Sequence, residues 1–170
     1  MDARLAHDIL LPATLAMFPE HFSSRPARAM VLAIGLQESD YIHRRQLIGN
    51  HRNWWEVIKP PAKSFHQFEK VGIRGVVEHP ATRRLAVEVC RLLGYPPDVN
   101  VLHAAVEHND LLASAFARLA LWRLPQPLPG PDDHQEAWAQ YLEAWQPGKP
   151  KPERWQHRYQ TAWDIVGVAA

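Results

Sequence analysis

The chain has 170 residues, of which 46% are hydrophobic and 22% charged, and its formal net charge is +1 with neutral histidine. This length suits one domain whose core needs no disulfide or structural metal. The near-neutral charge excludes a strong overall polyelectrolyte field, so it gives no support to nucleic-acid binding.

The sequence also argues against export and membrane insertion. Its first residues, Met1 to Asp8, lack a basic region followed by an apolar stretch, so we expect no signal peptide. No apolar segment has the length of a membrane span, so we expect no membrane insertion. Cys90 is the only cysteine, and the apolar run around it, residues 85–93, favours a buried structural thiol over a nucleophile.

Proline and glycine divide a mostly helical pattern. It predicts helices near residues 2–10, 12–18, 26–38, 71–78, 80–93, 98–107, 109–123, 132–145 and 151–165. The clearest are 80–93, with Pro80 at its start and Gly94 as its stop, and 109–123, which Asn109 can cap. No run of alternating strand residues occurs, although residues 41–68 leave room for a short irregular hairpin. The sequence therefore predicts a mainly α fold.

The C-terminal part has a composition of its own. Residues 124–131 form a proline-rich, stiff connector, and we place a division there between residues 1–125 and 126–170. Beyond it, aromatic residues recur at roughly helical spacing on two predicted helices: Trp138, Tyr141, Trp145, Trp155, Tyr159 and Trp163. Such a stripe favours a helical hairpin packed on the same body over a platform that stacks on sugars.

Glu38 is the strongest candidate for chemistry. It ends a predicted helix that begins with Ser24 as a cap and Pro26 in the first turn. Met30, Ile34 and Glu38 share one face of this helix, and that face should point into the protein. A buried carboxylate has a raised pKa and can hold a proton near neutral pH, as a general acid must. The alternative is a frayed helix end that carries Glu38 into solvent.

The residues that follow resemble a known enzyme family. Glu38-Ser39 resembles the Glu-Ser pair that ends the catalytic helix of goose-type lysozymes and soluble lytic transglycosylases. Residues 62–68, Ala-Lys-Ser-Phe-His-Gln-Phe, resemble the Gly-Ala-x-Gly-Leu-Met-Gln element of that superfamily. The run 33–79, with IGLQES, RRQ, FHQFE and GIRGVVEH, resembles small phage-encoded proteins of the lysozyme-like kind. The resemblance extends over roughly residues 26–125.

The chain departs from the family pattern at several points. Pro61 and Ser64 stand where the family has glycine, and His66 stands where methionine is usual. A segment that includes residues 51–61 has no counterpart. The third family element, an Ala-Tyr-Asn-like triplet on a late helix, is matched only by residues 107–109, Glu-His-Asn.

The resemblance implies a lysozyme-like helical domain that cleaves the β-1,4 bond between N-acetylmuramic acid and N-acetylglucosamine in peptidoglycan. Glu38 would be the general acid and base, and a lone glutamate suits a lytic transglycosylase, although a muramidase is also compatible. We expect no cofactor. The implied partners are peptidoglycan glycan strands and other phage virion or tail proteins. The implied location is the virion, or the bacterial cytoplasm before release onto the host cell wall.

Further site residues each have a structural alternative. Ser39 would bond Glu38 or substrate, or simply cap the helix end. Gln46 and Gln67 would hold sugar amides, or serve as structural loop amides. The rings of Tyr41, Phe65 and His66 would stack on sugars as cleft walls, or belong to ordinary packing. Asn109 would support the acid, but its position favours a helix cap.

Charged side chains near this element are open to two interpretations as well. Glu69 would act as a second carboxylate, although a solvated helix-start glutamate near Lys70 is favoured. Asp40 is a poor second carboxylate, because a side chain two residues along a helix points to another face. Arg44 and Arg45 would meet acidic groups of the substrate, or remain a solvated pair.

Metal binding finds little support in the sequence. His103 and Glu107 are one helical turn apart and His108 is adjacent, but the chain has no HExxH pattern and no pair of cysteines. We therefore expect no metal.

Two other functions remain open. The first is a non-catalytic virion structural protein that keeps a lysozyme-like scaffold, which the altered glycine positions and the tryptophan-rich hairpin favour. The second is a helical DNA-binding module, prompted by Arg83 and Arg84. The near-neutral charge argues against this module.

Overall fold

The computed structural model describes residues 1–45 and 61–167. Within these ranges the chain is mainly helical, with eight helices and no strands, which confirms the predicted mainly α class. The helix α1 runs through three stretches, Ala3–Leu5, a π-helical turn Ala6–Leu10, and Leu11–Leu15. The others are α2 (Arg25–Ser39), α3 (Lys70–Glu78), α4 (Arg83–Leu93), α5 (Val99–Ala105), α6 (Asp110–Trp122), α7 (His134–Trp145) and α8 (Pro152–Gly167).

Three predicted helix signals are confirmed. Ser24 caps α2, since its Oγ accepts from the amide of Ala27 at 3.3 Å. Asn109 caps α6, and its Oδ1 accepts from the amide of Leu112 at 3.0 Å. Gly94 ends α4 in the left-handed conformation, with φ of 76°.

Two boundaries differ from the prediction. The predicted helices 2–10 and 12–18 form one run, because the π-helical turn precedes Pro12 and the proline falls in the first turn of the following stretch, where its missing N–H costs nothing. The predicted helix 80–93 begins only at Arg83. The Thr82 hydroxyl is buried and donates to the carbonyl of Val76 at 2.6 Å, which closes a turn between α3 and α4.

The core is built around α2. Its buried side chains include Met30 and Ile34, as the face pattern predicted, and α8 packs extensively against it while α6 also contacts it. Helices α7 and α8 form a hairpin in which the Tyr141 ring stacks on that of Trp155, with centroids 5.0 Å apart, and the Trp138 ring lies tilted at 5.5 Å from Trp155. The aromatic stripe is therefore packing between the two helices. Cys90 is buried, as predicted.

The possible hairpin at residues 41–68 is reduced to isolated antiparallel bridges in the described part of the chain. Lys63 pairs with Arg45 on one side and with Phe68 on the other. No helix among the described residues is both long and apolar enough to span a membrane.

The chain reverses direction directly after α2. Asp40 and Tyr41 both have positive φ, 52° and 56°, so the Tyr41 side chain folds back over the helix it follows. Its hydroxyl donates to the carbonyl of Val31 at 3.4 Å. The close approach requires a glycine below the ring, since a Cβ atom at Gly35 would lie 2.6 Å from Tyr41 Cε2. This contact fixes the end of α2, where Glu38 is located.

We therefore expect Gly35→Ala to destabilise the protein by about 1 to 3 kcal/mol in urea unfolding, because the Tyr41 ring must move. Alanine favours a helix interior by up to about 1 kcal/mol over glycine, and this gain opposes the loss. Gly148→Ala is the matched control. A Cβ there meets no atom within 4 Å, so its free energy of unfolding should stay unchanged or rise slightly. A Gly35→Ala variant as stable as the control would contradict the packing described here.

Candidate functional site

Glu38 lies in the last turn of α2, and its carboxyl is largely withdrawn from water. Burial raises its pKa from the ordinary 4.5 to about 7, the largest effect on this group. Two groups act in the opposite direction: the Tyr141 hydroxyl donates to Oε1 at 2.6 Å, and the positive charge of Lys151 lies nearby. Glu69 adds a smaller upward contribution. Near neutral pH the carboxyl is thus close to half protonated and can both give and take a proton.

Tyr141 comes from α7 and is separated from Glu38 by 103 residues along the chain. Its side chain is 2% exposed. Burial, together with the negative charge of Glu38, raises the pKa of this phenol far above its ordinary value, so the hydroxyl keeps its proton. Tyr141 is therefore a permanent donor that orients the carboxyl of Glu38.

Ser39 anchors the segment 61–68 to the end of α2. Its Oγ donates to the carbonyl of Phe65 at 2.8 Å, lies 3.3 Å from the carbonyl of Gly35, and accepts from the amide of Tyr41 at 3.2 Å. The hydroxyl therefore stabilises the helix end and the turn after it, which is the structural alternative for this residue. The hairpin holds the same segment from the other side, because Trp145 Nε1 donates to the carbonyl of His66 at 2.8 Å.

The three predicted cleft-wall rings lie in the interior. Tyr41, Phe65 and His66 are 0%, 2% and 1% exposed, and Tyr41 packs at 5.5 Å from Phe65 and 6.1 Å from His66 between ring centroids. Their burial agrees with the packing alternative. Burial also lowers the pKa of His66 to about 4, so its ring is neutral at pH 7.

Gln67 is turned into its own loop. Its backbone has φ of 50°, and its side-chain Nε2 donates to the carbonyls of Ser64 at 2.6 Å and His43 at 3.2 Å. This is the arrangement expected of a structural loop amide. Gln46 lies outside the described residues.

The other predicted carboxylates differ in position. Glu69 is exposed, directly precedes α3, and is close enough to Glu38 to raise its pKa. Lys70 does not engage Glu69; its Nζ donates to Asn100 Oδ1 at 2.8 Å. Asp40 is held by Arg158 and by Arg154, the latter at 3.1 Å, so it serves as an anchor for α8.

Ion pairs connect residues 44, 45 and 63, which flank Ser64 in the fold, to the chain around residues 107–110. The Arg44 guanidinium bonds both carboxylate oxygens of Asp110, at 3.1 and 2.7 Å. Glu107 pairs with Arg45 and, at 3.3 Å, with Lys63. The two arginines are therefore engaged within the protein. In the described ranges, no group of three or more His, Cys, Asp or Glu side chains is placed to hold a metal ion.

Comparisons with models of known protein families, with curated proteins and with solved structures found no match for this chain. The likeness to lysozyme-like enzymes thus rests on the sequence elements themselves. Of those elements, the structure brings Glu38, Ser39 and the segment 62–68 together at one end of α2. It places Asn109 at the start of α6 as a helix cap, where its Nδ2 also donates to the Tyr95 hydroxyl at 3.4 Å.

Two surface grooves described by the structure lie at the opposite end of α2. One, of about 740 Å³, is lined by Arg25 and Trp163, and the other, of about 460 Å³, is lined by Ser24 and Arg118. Glu38 lines neither of them.

Sequence reasoning did not foresee the groups that surround Glu38 from the C-terminal hairpin. The sequence marks Tyr141 only as a member of an aromatic stripe. Nothing in the spacing of the stripe distinguishes Tyr141, which reaches Glu38, from Trp138, which does not. Lys151 has no signal in the sequence apart from its position at the start of the predicted helix 151–165.

The raised pKa of Glu38 has a consequence for stability. Because its folded pKa of about 7 lies above the ordinary 4.5, burial of the neutral form stabilises the protein fully below pH 4.5, and this stability is lost as the pH rises through 7. His66 acts in the opposite sense. Its folded pKa of about 4 lies below 6.5, so its contribution is present above pH 6.5 and is lost as the pH falls towards 4.

We expect Glu38→Gln to remove the pH dependence of stability that comes from Glu38 and to leave the one that comes from His66. The glutamine oxygen can still accept a hydrogen bond from Tyr141. The variant's free energy of unfolding minus that of the wild type should rise between pH 4.5 and 7, by up to about 3 kcal/mol, and be constant above pH 8. Urea unfolding at a series of pH values measures this difference. A difference independent of pH would show that Glu38 titrates normally.

Proposed function

We propose that the protein is a lytic transglycosylase of lysozyme-like fold that cleaves the β-1,4 bond between N-acetylmuramic acid and N-acetylglucosamine in peptidoglycan. The observation that carries the proposal is the carboxyl of Glu38, whose pKa is raised to about 7 at the end of α2. It stands beside the two elements whose residues resemble those of the family. The protein would be encoded by a phage and would cleave the cell wall of the bacterial host.

The proposed reaction needs one carboxyl group in two protonation states. Protonated Glu38 gives its proton to the glycosidic oxygen as the bond to the muramic acid carbon breaks and positive charge develops on that sugar. The resulting carboxylate then takes the proton from the sugar's own 6-hydroxyl, whose oxygen closes onto the same carbon to give a 1,6-anhydro end. No water is consumed, and the carboxyl of Glu38 is regenerated.

The neighbours of Glu38 suit this sequence of steps. The Tyr141 hydroxyl remains bonded to Oε1 and holds the carboxyl in one orientation. Lys151 favours the carboxylate that forms after the first proton transfer. Glu69 is the group available to activate water if the enzyme hydrolyses instead.

A second candidate function is a non-catalytic virion protein. The specific observation in its favour is that the expected substrate contacts are used internally: the rings of Tyr41, Phe65 and His66 are buried, and the Gln67 amide bonds its own loop. A scaffold that keeps the family's packing without its sugar contacts would have this appearance.

We expect Glu38→Gln to lower the rate of peptidoglycan clearance by about 10² to 10⁴, because the glutamine cannot donate or accept the proton. Glu143→Gln, at an exposed position on α7, is the matched control and should retain wild-type activity. Mass spectrometry of the released muropeptides should find anhydro ends. Unchanged activity in Glu38→Gln would refute the assignment of the acid. Wild-type protein without activity on several peptidoglycan types would favour the structural alternative.

Glu69→Gln separates the two reaction routes. If Glu38 acts alone, this variant should keep most of its activity and still release anhydro ends. If water is activated by Glu69, the wild type should release reducing ends and the variant should lose activity, which would contradict the transglycosylase route.

Tyr141→Phe should shift the basic limb of the pH–activity profile upward. The hydroxyl's hydrogen bond lowers the pKa of Glu38, so its removal leaves burial less opposed, and the protonated form persists to higher pH. Tyr159→Phe is the matched control for hairpin packing, since its hydroxyl bonds the carbonyls of Pro129 and Gly130 instead. The profile of the control should be unshifted. An unshifted or lowered limb in Tyr141→Phe would contradict the role given to that residue.

A further inference from the structure

Arg118 is a buried cation without an acidic partner. It lies on α6, is 2% exposed, and has no carboxylate oxygen within 4 Å in the described part of the chain. Its Nε donates to the carbonyl of Phe22 at 2.9 Å, whereas its buried Nη1 has no hydrogen-bond partner there. Burial lowers its pKa to about 10. Because buried charges are normally paired, a bound anion would stabilise the Arg118 guanidinium.

Aromatic rings hold the guanidinium of Arg118 in place. Its central carbon lies 4.8 Å from the ring centroid of Phe22 and 5.1 Å from that of Trp122, and the two rings stack with centroids 4.1 Å apart. With Nε bonded to Phe22 and the face of the guanidinium against the rings, Nη1 is the N–H group left for a planar acceptor.

Arg118 lines a groove of about 460 Å³ next to the start of α2. The walls are mostly apolar and come from the proline-rich segment 124–128 and from Trp122, which is 37% exposed. Ser24 and Pro26 also line the groove. Ser24 is the cap of α2 and Pro26 lies in its first turn. The positive dipole end of this 15-residue helix favours a negative charge at this place.

We infer that this groove binds the C-terminal carboxylate of a peptide whose last side chain is apolar. One guanidinium edge matches one planar group of single negative charge, whereas a phosphate would need further cations. Leucine and proline side chains in the segment 124–128 suit an apolar side chain, and Ser24 and Gln126 offer polar groups to the peptide's amides.

The site is separate from the proposed reaction. Ser24 and Glu38 are the two ends of α2, which places the groove about 20 Å from Glu38 at 1.5 Å per residue. Peptide binding and peptidoglycan cleavage can therefore succeed or fail independently.

The test is an NMR titration of the intact protein with N-acetyl-leucyl-leucine as the free acid, with its C-terminal amide, and with octanoate. The acid should shift the indole N–H signal of Trp122, and the amide should bind at least tenfold more weakly. Equal binding of acid and amide, or binding of neither, would overturn the inference. Binding of octanoate without the peptide acid would overturn the peptide assignment.

Variants at Arg118 locate the interaction. Arg118→Met should weaken binding of the acid at least tenfold and leave the amide unaffected, while Arg118→Lys should retain part of the preference for the acid. Circular dichroism verifies that each variant folds. A folded Arg118→Met that binds the acid like the wild type would contradict the inference. If neither variant folds, the comparison of acid and amide binding to the wild-type protein still tests the inference.

Discussion

The hydrogen bond from Tyr141 to Glu38 joins the C-terminal hairpin to the helix on which the rest of the molecule is built. α8 packs along α2, so the same docking that buries the apolar length of α2 also withdraws the carboxyl at its end from water. Burial disfavours the charged form of Glu38 by more than the phenol and Lys151 favour it, which is why its pKa rises. The chemistry open to this carboxyl thus depends on hairpin packing.

The end of α2 is fixed from three directions. The Tyr41 ring lies over Gly35, the Ser39 hydroxyl bonds the carbonyl of Phe65, and Asp40 binds two arginines of α8. Each contact uses a residue within three positions of Glu38 in sequence. These contacts hold the backbone that carries Glu38 in one place, where the Tyr141 hydroxyl bonds its carboxyl. This preorganisation is what proton transfer near neutral pH requires.

Much of the fold follows from local sequence signals. The caps at Ser24 and Asn109 and the stop at Gly94 have mechanisms confined to a few residues, so the sequence predicts them well. The burial of the α2 face also follows from periodicity. Tyr141 could not be foreseen, because which ring of a stripe reaches Glu38 depends on the angle and depth at which the hairpin docks. The sequence also could not decide whether Gln67 binds substrate or its own loop, because its partners are backbone carbonyls, which have no sequence signature.

The central claim is that Glu38 holds a proton near neutral pH because it is buried. It is tested most directly by ¹³C NMR titration of the Glu38 side-chain carboxyl, assigned by comparison with the Glu38→Gln variant. The account predicts a midpoint near pH 7 in the folded protein. A midpoint near the ordinary 4.5 would contradict it.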